Sequence, residues 1–140
     1  VLGSLQTNCY IIVDELSGLG AVIDPALYTT ELIEAIKSSG MTRLQYILIT
    51  HGHSDHILGV YDLKKSYPNA IVVIADQDEI CLTSSQCSLA ADIGLEQTPM
   101  HADKLVMDGD TFNFGSITAK VILTPGHTPG SVCYLFENII

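Results

Sequence analysis

Three of the five histidines in this chain, His51, His53 and His56, fall within six positions, and Asp55 stands among them. The stretch reads Tyr46-Ile47-Leu48-Ile49-Thr50-His51-Gly52-His53-Ser54-Asp55-His56. Imidazole and carboxylate are ligand types that Zn, Fe, Mn and Ni accept. A solvated turn rich in histidine is the alternative, but four such groups crowded at the exit of an apolar run cost core stability and need a reason. In an extended loop, residues two apart point the same way, so His51 and His53 can grip one ion. Gly52 keeps the backbone between them free of a side chain. Asp55 and His56 lie further along, where the chain turns, and can face a second ion. Two ions roughly 3.5–4 Å apart can share a bridging hydroxide. The pattern is unlike H-E-x-x-H, whose ligands share one helical turn.

His127 lies in Thr124-Pro125-Gly126-His127-Thr128-Pro129-Gly130-Ser131. Proline and glycine on both sides frame a sharply turned loop and allow close backbone approach. Alone, this is equally an ordinary hairpin loop with a histidine at its tip. Beside the first cluster, a third ligand arm is favoured. His101, in a polar irregular stretch, reads as an exposed loop histidine.

The elements that must position these groups follow from the apolar pattern. Tyr46 to Ile49 reads as a buried strand, so the metal-type residues occupy a strand-to-helix connection. Ile57, Val60 and Tyr61 share helical spacing, and that helix should stop near Tyr67-Pro68. Upstream, Leu5 to Val13 and Ala21 to Ile23 read as a hairpin pair ending at Asp24-Pro25. Thr30 is the expected N-cap of a helix reaching Ser38 or Ser39, with Gly40 beyond its end. Ile71 to Ala75 is a further buried strand. Asp76 and Glu79 have capping-box spacing for a third helix. From Ser84 to Ala102 the pattern dissolves, which predicts a mobile lid or a disordered loop. Leu105-Val106, Thr111 to Phe114, Ile117 to Leu123 and Val132 to Phe136 read as a closing run of strands. The order describes one layered α/β domain over residues 1–140 with right-handed crossovers.

Composition narrows the partners. The 140 residues carry a net charge of −10, from 16 acids against 6 bases. No basic stripe suits a phosphate backbone, which argues against nucleic acid. No apolar run approaches the roughly 20 residues that span a bilayer, so no membrane partner is expected. None of the four cysteines, Cys9, Cys81, Cys87 and Cys133, forms a C-x-x-C pair. Cys9 and Cys133 lie in apolar runs, and buried thiols in a reducing cytoplasm are expected rather than a disulfide framework.

His-Gly-His-Ser-Asp-His after a buried strand, followed by Thr-Pro-Gly-His-Thr-Pro-Gly-Ser before another, resembles the metallo-β-lactamase superfamily. Leu5-Gln6-Thr7-Asn8-Cys9-Tyr10 together with Val22-Ile23-Asp24-Pro25 narrows the resemblance to glyoxalase II-like metallohydrolases of the small form. The resemblance implies an αββα sandwich with the site along the edge where the sheets meet. Carried over by position, His51, His53 and His127 hold one metal ion and Asp55 and His56 a second, both zinc, with iron or manganese as alternatives. Asp24, otherwise only a strand-end turn former, becomes a support beneath the motif. The implied reaction is hydrolysis of small thioesters of the S-acyl glutathione type by a hydroxide held between the ions, with Asp55 as both ligand and proton acceptor.

The chain departs from the family pattern in one respect. The bridging aspartate and the last histidine of that pattern would follow the Val132 strand, and the sequence stops at Ile140 before both. Glu137 does not stand in a Gly-Asp context. The expectation is therefore the larger N-terminal part of the domain, with exposed sheet edges through which copies associate. Two other readings stay open. One is a mononuclear iron persulfide dioxygenase using His51, His127 and the absent aspartate. The other is a non-catalytic metal-binding fragment.

Overall fold

The computed structural model describes residues 1–137, so the expectation about the chain's end at Ile140 lies outside the described residues. The apolar runs assemble into two sheets. The first has five strands in the order β1 (Tyr10–Val13), β2 (Leu19–Ile23), β3 (Arg43–Leu48), β4 (Ile71–Ala75) and β5 (Lys104–Val106). β1 and β2 form the expected antiparallel hairpin, and β2 to β5 are parallel. The second sheet is the antiparallel set β6 (Thr111–Phe114), β7 (Ile117–Leu123) and β8 (Val132–Glu137). Leu105-Val106 thus belongs to the first sheet, not to the closing meander. Three residues are too few to reveal from sequence which sheet they extend.

Alternation explains why β3 and β4 read as continuous apolar runs. Ala21, Ile23, Tyr46, Leu48, Val73 and Ala75 face the second sheet and pack on Phe112, Phe114, Ile117, Ala119 and Val121. Their neighbours Val22, Ile47, Ile49, Val72 and Ile74 face the other way, onto Leu32, Ile36, Ile57, Val60 and Leu63. A strand covered on both faces has no polar side to show. The layers are therefore helices, first sheet and second sheet, as in the expected sandwich. Among the described residues no helix covers the outer face of the second sheet, where Ile122, Cys133 and Leu135 are exposed.

Several local expectations need correction. Leu5 to Thr7 is not strand: Gln6 has φ +54° and the turn closes in a bridge between Leu2 and Thr7. Helix α1 (Thr30–Ser38) is capped by Thr29, whose Oγ1 accepts from the Leu32 N–H at 3.2 Å, not by Thr30. The second helix is split into α2 (Ser54–Ile57) and α3 (Val60–Ser66). The break falls at Gly59, whose N–H donates to the Pro25 carbonyl at 2.9 Å and where a Cβ would stand 2.4 Å from that oxygen. Tyr61 is exposed, and Leu63 takes the packed position instead. The third helix is a 3₁₀ segment, Asp76–Leu82, without a side-chain cap.

The stretch from Ser84 to Ala102 is irregular but has a defined, anchored path, against the expectation of a disordered loop. Ser88 and Ala90 are fully buried, the Met100 N–H donates to the Leu82 carbonyl, and the Gln97 Nε2 donates to the Cys81 carbonyl. Cys81 and Cys87 are joined in a disulfide, against the expectation of free thiols, because the 3₁₀ segment and the turn after it bring their Cα atoms to 4.8 Å. Cys133 is exposed rather than buried, lying on the outer face of β8. His101 is exposed as expected and pairs with Glu79 at 2.6 Å. No helix among the described residues is long and apolar enough to cross a membrane.

One buried acid links the sheets. Asp14, in the turn after β1, accepts from Ser17 Oγ, Ser116 Oγ and the Ser116 N–H at 2.5, 2.8 and 3.1 Å. Ser116 sits in the turn between β6 and β7. The Ser17 bond first, then those from Ser116, hold the Asp14 carboxyl down at about 2.

Candidate metal centre

The five metal-type residues predicted from sequence gather where the first sheet meets the second. β3 carries Thr50 and His51 out of the core at its C-terminal end. The Thr50 carbonyl accepts from the Val132 N–H at 2.9 Å, and the Ile49 carbonyl accepts from Tyr134 Oη at 2.9 Å, so the start of β8 is stitched to the end of β3. This brings the His127 loop over the first motif. His51, His53 and His127 present ligand nitrogens within 4.8 Å of one another. His53 Nδ1 and His127 Nε2 stand 2.9 Å apart. The rings of His51 and His127 meet edge to face, with centroids 4.7 Å apart.

His51 is buried, and its Nε2 has no hydrogen-bond partner among the described residues. Its other nitrogen defines the tautomer. Thr50 has a single hydroxyl proton, which it donates to Asp24 Oδ2 at 2.6 Å. The 3.1 Å contact between Thr50 Oγ1 and His51 Nδ1 therefore needs the proton on Nδ1. The Nε2 lone pair is left free, directed among the other imidazoles. A buried unpaired acceptor is costly, and a metal ion is the partner that fits an all-imidazole group. The residues present fit the ion that the sequence pattern implies. Burial, then the charges of His56 and His53, push the His51 pKa down to about 4. Burial, then His127, lowers that of His53. Both rings are thus neutral, the form that ligates, at neutral pH.

Asp55 and His56 sit inside α2, not ahead of it. Asp55 Oδ2 accepts from Thr7 Oγ1 at 2.8 Å and lies 3.4 Å from His56 Nε2. His56 Nδ1 donates to Asp24 Oδ2 at 2.9 Å. Burial alone would lower the His56 pKa, but the hydrogen bond and charge of Asp24, with the charge of Asp55, outweigh it and raise it. Asp24 itself is buried and has φ +50°, a conformation that Asp tolerates better than most residues. There it also accepts from the Thr50 N–H at 2.8 Å. One carboxylate thus orients His56 directly and His51 through Thr50.

Four supporting residues carried no visible signal in the sequence: Thr7, Thr50, Asp78 and Thr128. Thr7, Thr50 and Thr128 lie inside the motifs quoted above, yet nothing in their type or spacing marks a role there, and Asp78 lies in none of them. A cavity of about 370 Å³ lined by Ile36, Lys37, Met41, Arg43 and Tyr67 lies at the opposite, N-terminal end of β3 and holds none of the metal-type residues.

Comparisons with known proteins point to one family. The family described as the metallo-beta-lactamase superfamily matches residues 2–138. A hydroxyacylglutathione hydrolase of Francisella philomiragia is 33% identical, over 96% of this chain and 44% of that relative. Glyoxylase B2 of Dictyostelium discoideum is 33% identical, over 94% of this chain and 49% of that relative. The chain spans about half the length of these curated relatives. Among solved structures, the BLEG-1 B3 metallo-beta-lactamase superposes with TM-score 0.86 at 30% identity, over 96% of this chain and 64% of that one.

Proposed function

We propose that this chain, which belongs to the metallo-beta-lactamase superfamily, forms the metal-facing part of a metal-dependent hydrolase of small thioesters. One observation carries the metal reading: three imidazoles converge within 4.8 Å, and one of them has a buried nitrogen without a partner. His51, His53 and His127 would hold one ion, and Asp55 with His56 a second. The donor set suits zinc, and also iron or manganese. When bound, such ions polarise a carbonyl and supply a nucleophile at neutral pH.

The chain's own residues orient, shield and move protons. Asp24 and Thr50 keep the His51 proton on Nδ1 and turn the His56 ring. Thr7 steadies Asp55 through Oδ2, leaving Oδ1 to take the proton of the attacking water. Leu2, Leu5, Leu27, Leu58 and Leu95 line a groove beside Asp55 that would receive the apolar part of an acyl group. The thioester choice is supported by the names of the hydroxyacylglutathione hydrolase and glyoxylase relatives. A β-lactam is the rival, from the solved lactamase.

The full natural chain, loaded with zinc, is to be assayed on several S-acyl glutathiones and on a β-lactam. The expected result is thioester hydrolysis that a chelator abolishes, with little lactam turnover. Thioester rates no higher than the chelator-treated control would overturn the proposal. A single bound iron with oxygen consumption would replace it with the dioxygenase reading.

A further inference from the structure

Asp78 is almost wholly buried, at 1% exposure, yet no basic side chain pairs with it among the described residues. Its carboxylate is instead shared between the two histidine loops. Oδ2 accepts from the Gly52 N–H at 2.8 Å, between His51 and His53. The same oxygen accepts from Thr128 Oγ1 at 2.7 Å, one residue after His127. Oδ1 accepts from the Gly130 N–H at 2.8 Å. The two loops are 74 residues apart at His53 and His127. No other side chain among the described residues accepts a hydrogen bond from both.

The packing around this acid is equally close. A Cβ on Gly130 would stand 2.6 Å from Asp78 Oδ1 and 2.7 Å from its backbone nitrogen. A Cβ on Gly52 would stand 2.5 Å from the Cys81 Cβ and 3.2 Å from the Asp78 carbonyl oxygen. Both loops rest on the 3₁₀ segment with no room for a side chain between. A buried anion without a cation is expensive unless its hydrogen bonds are complete. Here they come from the backbone and hydroxyl groups that flank the ligands.

We infer that Asp78 is a positioning residue for the metal site, a buckle that sets the distance of His51 and His53 from His127 before any ion binds. The inference rests on the reading of these histidines as ligands. Two consequences follow for the chain's own residues. Thr128 acts through its hydroxyl, so serine can replace it and valine cannot. The Gly52 and Gly130 amide protons are protected from exchange in the metal-free protein, because the buckle does not depend on the ion.

The test uses the full natural chain and its Asp78→Asn, Thr128→Val, Thr128→Ser and His51→Gln variants. Zinc affinity is measured by competition with a chromophoric chelator, and amide exchange at Gly52 and Gly130 is followed in metal-free protein. Thr128→Val and Asp78→Asn should weaken zinc binding by about 10–100-fold, the range for residues that orient ligands, and speed exchange at both glycines. Thr128→Ser should keep wild-type values. If Asp78→Asn fails to fold, the valine–serine pair decides. Unchanged zinc affinity in Thr128→Val, with His51→Gln still abolishing binding, would overturn the inference while leaving the metal reading intact. Wild-type protein that binds no zinc would overturn both.

Discussion

Thr50 shows how a residue of common type can control a metal-type histidine. Its one proton goes to Asp24, which obliges His51 to donate from Nδ1 and frees Nε2. Thr50→Val should therefore weaken zinc binding about tenfold, with Thr50→Ser restoring it, as chelator competition would show. The pH dependence follows from the same ring. The His51 pKa is about 4 in the folded protein against 6.5 ordinarily. A histidine held neutral stabilises the fold above its ordinary value, and that contribution is lost as pH falls from 6.5 towards 4. His56 runs the other way, its raised pKa adding stability below 6.5 that disappears as pH climbs through the folded value. Melting curves of metal-free wild type and His51→Gln between pH 4 and 7 should differ most in slope on the acid side. The ligand candidates were legible because histidine is rare and its spacing is informative. Thr7, Asp78 and Thr128 were not, because their roles come from contacts 26 to 52 positions away. Asp78 in particular was hidden by Asp76 and Glu79, whose spacing suggests a helix cap that does not form.

At the scale of elements, strands with two covered faces were the easiest to read, since Tyr46 to Ile49 and Ile71 to Ala75 announce themselves by unbroken apolarity. The helix after the first motif was harder, because its break at Gly59 answers to the Pro25 carbonyl in another loop. The stretch from Ser84 to Ala102 was harder still. Its order comes from single backbone bonds, such as the Ser54 N–H to the Ser88 carbonyl at 2.8 Å, which no periodicity records. That bond also steadies the first turn of α2, which carries Asp55 and His56. The Asp14 contact between the two hairpin turns gives a prediction at this scale. Its carboxyl is depressed to about 2, so its contribution is present above its ordinary value of 3.8 and is lost as pH falls through about 2. Asp14→Asn should melt below wild type at pH 7, and the gap should narrow under acid. A gap that stays constant with pH would show that the carboxylate charge is not the cause.

Taken as a whole, the molecule depends on the seam between its sheets. Phe114 is buried there beside Tyr46, with ring centroids 6.1 Å apart. Phe114→Ala should cost about 3–5 kcal/mol in denaturant unfolding. The outer face of the second sheet carries exposed Ile122, Cys133 and Leu135. A polypeptide of these 140 residues should therefore associate with rising concentration, and sedimentation would reveal it; a monomer at all concentrations would refute this. The arrangement of β3 also has a consequence for timing. β3 is paired on both sides, and its side chains are covered front and back. Its amides should exchange only when the whole chain opens. His127 rides on an exposed loop between β7 and β8, laid down more than seventy residues later. One wall of the pocket thus belongs to the slowest-opening part of the molecule and the other to its surface. Because the site needs both walls, an added ion should bind during refolding only after the second sheet has docked.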